Sequence, residues 1–143
     1  MFPSREWCVA TAKALHADPT VQAALAEFGA FTSGAVIERG DGLKSDFCIL
    51  ARVAPGKEPV LEFPDDEDEL EEAGPDYLAW IPHKLARDLL EAVQSGQTPD
   101  PVQLVLSGRF KLVGDVQRLV KVAPRHPNAG VVALRSVPTR TLR

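Results

Sequence analysis

Apolar and polar positions change period along this chain, and each change marks an element. Cys8, Ala12 and Leu15 are spaced by four and then three, so they share a helix face that Trp7 flanks. With Ser4 as the N-cap, this predicts a helix over Arg5–Ala17. Asp18-Pro19 is a second start signal, a capping residue followed by a proline that fits the first turn. Val21, Ala24, Leu25 and Phe28 then lie on one side of a helix that ends at Gly29. The period next falls to two. Phe31–Arg39 reads as a strand, Gly40-Asp41-Gly42 as a tight turn, and Phe47–Val53 as a second strand. Ala54-Pro55-Gly56-Lys57 turns again before a short strand over Pro59–Phe63. Short connections of this kind make an antiparallel meander. Its middle strand is apolar on both faces, Phe47, Ile49 and Val53 against Cys48 and Leu50, so it is covered on both sides or lines an internal space.

Pro64–Pro75 is an acidic stretch that reads as a loop. Tyr77–Ile81 is a fourth strand, ended by Pro82. His83–Ser95 is the most regular helix. Leu85, Ala86, Leu89, Leu90 and Val93 form its stripe, and Lys84 and Asp88 stand four apart as an outward ion pair. Gly96 closes it, and Pro99, Asp100 and Pro101 open a short helix carrying Val102, Leu104, Val105 and Leu106. Ser107-Gly108 ends that helix. Arg109–Val113 then alternates, with Phe110 and Leu112 on one face of a half-buried strand. Gly114 turns the chain, and Asp115 caps a last helix with Val116, Leu119 and Val120 on its apolar side. Pro124 to Asn128 is a turn-rich break, Gly130–Val137 a further strand or a docked arm, and Pro138–Arg143 a basic, fraying end.

At 143 residues, 45% of them hydrophobic, the chain can bury one sizeable core. Its net charge of -4 argues against a nucleic-acid partner, which needs a basic footprint. No apolar run nears the roughly 20 residues that span a bilayer. The start is no secretory signal, and Thr141-Leu142-Arg143 is not the peroxisomal address. Cys8 and Cys48 read as reduced, buried thiols, so a cytoplasmic location is expected.

Little of the sequence points to chemistry. His16, His83 and His126 sit at helix ends or in turns without a second ligand at helical spacing. The acidic run Asp65–Glu72 lacks the glycine and ligand order of a calcium loop. Joining two strands with Leu70 as its one apolar anchor, that loop could act as a gate. Phosphate cradles and a G-x-S-x-G elbow are absent, and neither cysteine has a histidine beside it. An enzyme reading would need Cys8 or Cys48 as a nucleophile, or the acidic run as a metal site. The expectation is no catalysis, no metal and no cofactor.

The order of pieces over Tyr77–Pro124 carries a resemblance. A Gly, Asp-Pro, a short apolar helix, then S-G-R-F-K-L-V-G-D and an amphipathic helix resembles the sterol carrier protein 2 family of lipid-binding domains. The opening F-P-S-R-E-W is similar to the start of such domains. The resemblance implies an α+β fold: a five-stranded, mostly antiparallel sheet covered by helices, with strands at about 31–39, 47–53, 59–63, 77–81 and 109–113. It implies a domain over 1–124 and a C-terminal extension over 125–143. It further implies an apolar tunnel between sheet and helices, with Trp80, Leu85, Leu89, Leu90, Leu104, Phe110, Leu112 and Leu119 as wall residues. The implied function is non-enzymatic binding and transfer of a fatty acyl chain, acyl-CoA or sterol-like amphiphile. Transient membrane contact is part of that reading, helped by Arg135, Arg140 and Arg143, by a monomer or homodimer. The alternative is a protein-interaction or dimerisation module of the same fold without lipid. The chain departs from the family pattern in its longer acidic loop and its tail after Pro124.

Overall fold

The computed structural model describes residues 2–127 and 129–137, the side chains at 101, 102 and 105 apart. The expectations for Pro138–Arg143, for Asn128 and for the side chains of Val102 and Val105 lie outside the described residues. Two helices lead, α1 (Arg5–Ala17) and α2 (Pro19–Phe28). Ser4 Oγ accepts the Trp7 amide at 3.1 Å, and Asp18 Oδ1 accepts the Thr20 amide at 2.9 Å. Both side chains therefore satisfy amides that a helix leaves unpaired at its start.

The strands are β1 (Phe31–Glu38), β2 (Phe47–Val53), β3 (Val60–Glu62), β4 (Tyr77–Pro82) and β5 (Lys111–Val113). They form one five-stranded sheet in the order β3-β2-β1-β4-β5. The β1–β2, β2–β3 and β4–β5 pairs are antiparallel, and β1–β4 is parallel. The meander is therefore present. The parallel pair follows because the chain leaves β3 and crosses back over the sheet before β4 starts beside β1. That crossover holds a short helix, α3 (Glu67–Glu72), where the sequence suggests only a loop. Dense carboxylates mask a helix signal, yet Asp66 Oδ1 caps the Glu69 amide at 2.8 Å and Leu70 is fully buried.

The register sorts the sheet's faces. Phe31, Ser33, Ala35 and Ile37 of β1 align with Tyr77, Ala79 and Ile81 of β4 and with Ile49 and Phe47 of β2. We call this the inner face. The remaining helices are α4 (His83–Gln94), α5 (Pro101–Leu106), α6 (Val116–Val122) and α7 (Val131–Ser136). On the inner face Phe2, Ile37 and Ala86 pack with Trp7, Phe47, Ile81 and Leu90, so α1 and α4 close this end of the core. On the outer face Val36, Cys48, Leu50 and Leu78 pack against Leu70 of α3. The middle strand is apolar on both sides for this reason.

The segment expected as a strand or docked arm at 130–137 is docked, and it is a helix over Val131–Ser136 rather than a strand. α7 packs on α1 and α4. Gln94 Nε2 donates to the Leu134 carbonyl at 2.7 Å, and Arg135 Nε donates to the Val93 carbonyl at 2.9 Å. Arg135 thus satisfies a carbonyl at the C-terminal end of α4, where a cation is favoured. Lys84 Nζ lies 2.9 Å from Asp88 Oδ2, the ion pair expected on α4.

Candidate functional site: an apolar cavity between sheet and helices

The site begins at the turn from α2 into β1. Phe28 ends α2, and Phe31 begins β1 after Gly29 and Ala30. Their rings meet edge to face at 5.0 Å, and Phe31 meets Tyr77 of β4 the same way at 5.9 Å. Aromatic pairs prefer this contact because a ring's positive edge faces a negative face. The Tyr77 hydroxyl donates to the Asp115 carbonyl at 2.9 Å, which ties the aromatic group to the start of α6. Burial, first of all, pushes the Tyr77 phenol up from its ordinary value. Arg118 of α6 lies over the Phe28 ring at 4.8 Å and donates to the Phe28 carbonyl, so α6 is fastened to α2.

Gly114 lets this happen. Its φ is +140°, and a Cβ there would stand 2.5 Å from the Asp76 carbonyl oxygen. Only glycine lets the β5–α6 turn lie so close to the start of β4. Asp115 then caps α6 by accepting the Arg118 amide at 3.0 Å. Leu119 and Val122 of α6 pack with Phe28, Tyr77 and Leu112.

Between these elements lies a cavity of about 870 Å³. Ala24, Leu25 and Phe28 of α2 line it, as do Phe31 and Tyr77 of the inner sheet face. Leu89, Leu90 and Val93 of α4, Leu104 of α5, Leu112 of β5, and Leu119 and Val122 of α6 supply further wall. The segment after α6 completes it with Ala123, Pro124, Ala129, Val131 and Leu134. Polar groups are sparse: Ser33, Thr98, Asp100 and His126. Such walls desolvate an apolar guest and select it by shape, since few groups offer a directed bond.

The strap from Ala123 to Leu134 is held at both ends. Arg125 and His126 both reach Glu27 of α2, with His126 Nε2 2.7 Å from Glu27 Oε2. Hydrogen bonding from the His126 side chain, then from Arg125, holds the Glu27 carboxyl below its usual range. The far end is held through Gln94 and Arg135, as described above.

Of the residues expected to form the wall, Leu89, Leu90, Leu104, Leu112 and Leu119 stand on this cavity. Leu85 is buried at the start of α4 and does not line it. Trp80 and Phe110 stand elsewhere, on an outer groove of about 440 Å³ with Glu38, Glu67, Arg109 and Lys111. Side chains alternate along a strand, and Trp80 is an odd number of residues from the inward Tyr77. Its register partner is Val36 of the outer face. Phe110 precedes β5, which starts only at Lys111, so strand alternation does not fix its side. No described residue of the acidic stretch lines the cavity, because α3 lies on the other side of the sheet. That position does not suit the gate suggested by the sequence.

The contributions of α2 and of the strap had no separate signal as a site. The apolar face of α2 was legible, but Glu27 pairs with residues about a hundred positions away. Cys8 and Cys48 are free, buried thiols away from the cavity, and burial pushes Cys8 up to about 11. Among the described residues, no group of three or more His, Cys, Asp or Glu side chains is placed to hold a metal ion. No described helix is long and apolar enough to cross a membrane.

No protein-family model matches the chain, and no curated protein matches it. Solved structures share its backbone. A structure of sterol carrier protein 2 superposes with a TM-score of 0.70 at 12% identity, over 96% of this chain and all of that one. The chain has the sterol carrier protein 2 fold. A conserved hypothetical protein of Thermus thermophilus, described as a possible sterol carrier protein, superposes with a TM-score of 0.72 at 13% identity, over 98% of this chain and 92% of that one. A ubiquinone synthesis protein, UbiJ-SCP2, superposes with a TM-score of 0.51 at 11% identity, over 98% of this chain and 100% of the other. In the sterol carrier protein 2 fold of this chain, the cavity lies between the inner sheet face and the helices.

Proposed function

We propose that this protein binds, and carries, an amphiphile with a long apolar tail: a fatty acyl chain, an acyl-CoA or a sterol-like molecule. It acts in the cytoplasm without covalent chemistry. The observation that carries the reading is the cavity of about 870 Å³, walled almost wholly by apolar side chains. The fold shared with sterol carrier protein 2 supports it. Leu89, Leu90, Leu104, Leu112 and Leu119 are the proposed contacts to the tail. Each methylene moved from water into such a space contributes about 0.8 kcal/mol, so a long tail binds without a dedicated polar contact. The domain takes in 1–124, with the rest of the chain as an extension whose strap closes one wall.

Native mass spectrometry of the protein purified from its own source, followed by lipid extraction, tests this. The expected result is a monomer or dimer carrying a long-chain amphiphile, which a fluorescent fatty acid displaces. An empty dimer that takes up no fatty acid would replace lipid carriage with a protein-interaction module of the same fold.

A further inference from the structure

Helix α3 is built from opposed forces. All its residues but Leu70 are carboxylates, and Asp65 and Asp66 precede it. Glu67 and Glu71, and likewise Asp68 and Glu72, stand four apart as like charges, which repel on a helix surface. Glu71 and Glu72 also sit at the negative end of the helix dipole. Against this, Leu70 is 0% exposed and packs on Val36, Cys48, Leu50 and Leu78. Asp66 Oδ1 caps the helix by accepting the Glu69 amide, and Glu69 Oε2 accepts the amide of the preceding Asp65 at 3.1 Å. Trp80 Nε1 donates to Glu67 Oε1 at 2.7 Å.

Charges of both signs stand beside the helix. Lys111 lies 4.4 Å over the Trp80 ring, and with Arg109 it shares the outer groove with Glu67 and a further carboxylate, Glu38. Asp46, just before β2, adds negative charge near Cys48, whose thiol is raised first by burial and then by Asp46, Asp66, Glu67 and Glu69.

We propose that α3 is a charge-sprung cover over the outer sheet face, pinned by Leu70 and lifted by its own like-charge pairs. Dissolved cations then set how often Val36, Cys48, Leu50 and Leu78 are uncovered. This holds whether or not the inner cavity carries lipid, because α3 packs on the opposite face. Salt strengthens the closed state. The Debye length falls from about 30 Å at 0.01 M to about 3 Å at 1 M, shorter than the spacing of residues four apart on a helix. Screening also weakens the pull of Lys111 and Arg109 on Glu67, but carboxylates outnumber cations here.

Hydrogen exchange of the 64–75 segment at these two salt concentrations tests the proposal, with β1 and β2 amides as the internal reference. Exchange of the Leu70 region should slow by about three- to fivefold at high salt, the scale of losing the repulsion of such pairs. In the double variant Glu71→Lys/Glu72→Lys, exchange should be slow at both concentrations, since each pair becomes attractive. In Leu70→Ala, a neutral maleimide should label Cys48 while Cys8 stays unlabelled and β1 and β2 keep their protection. Equal exchange of the native segment at both concentrations would overturn the proposal. So would an undiminished salt dependence in the charge-reversed variant, or a Cys48 that stays unlabelled in folded Leu70→Ala.

Discussion

Leu70 occupies the space that Gly34 leaves open by having no side chain. A Cβ on Gly34 would stand 3.0 Å from Leu70 Cδ1 and 2.9 Å from Leu78 Cδ1. Gly34 sits in the middle of β1, beside Leu50 of β2 and Leu78 of β4. A glycine in a strand interior is costly by itself, and here it admits the one apolar side chain of α3. Gly34→Val should therefore destabilise the fold by about 1–3 kcal/mol, the usual cost of overpacking a filled core. Urea denaturation followed by circular dichroism measures it, and an unchanged midpoint would mean that Leu70 does not fill this space.

Gly114 is bound more tightly, because its obstacle is backbone. A Cβ there meets the Asp76 carbonyl oxygen at 2.5 Å, and its φ of +140° disfavours any side chain. Gly114→Ala should cost about 1–3 kcal/mol. It should also loosen α6, seen as faster hydrogen exchange at Leu119 than at β2.

The wall assignment separates residues that looked alike in the sequence. Leu119→Trp fills the cavity and should weaken binding of a fluorescent fatty acid roughly tenfold or more, about 1.4 kcal/mol. Phe110→Ala, on the outer groove, should leave that affinity within about twofold, since it removes no wall. Equal losses in both variants would move the binding site off the inner face.

The thiols give a pH dependence with a definite sign. Burial raises Cys8 from 9.0 to about 11, so the folded protein holds this proton more tightly than the unfolded chain. The contribution to stability is complete below pH 9.0 and is lost as pH rises through about 11. Folded protein at pH 8 should react with a neutral maleimide far more slowly than the denatured chain, because only about one Cys8 in a thousand is thiolate there. Rapid labelling of Cys8 in the native protein would contradict its burial.

Glu27 holds the strap with the opposite sign. Its lowered carboxyl pKa means that the pairing with His126 and Arg125 is present above the usual carboxylate range and is lost as pH falls below it. Glu27→Gln should lower the exchange protection of 123–127 at neutral pH to the level the native protein shows only in acid. Identical exchange in the two proteins would mean that the pairing does not hold the strap.

Elements whose signal is local could be read along the chain. Ser4, Asp18 and Asp115 cap the helices they precede, since a cap depends only on its next three residues. The stripe on α4 placed Leu89 and Leu90 on one side, and the β-meander followed from its turns. Trp80 and Phe110 show where this stops. Apolar character says that a residue is covered, but not by which face or by what. That required the β1–β4 register, which pairs Trp80 with the outward Val36. The strap, its hold on Glu27, and the seat of Leu70 on Gly34 join positions far apart along the backbone. Contacts of that kind leave no periodicity behind them. They exist only once the sheet has brought its strands side by side, so their geometry belongs to the folded molecule alone.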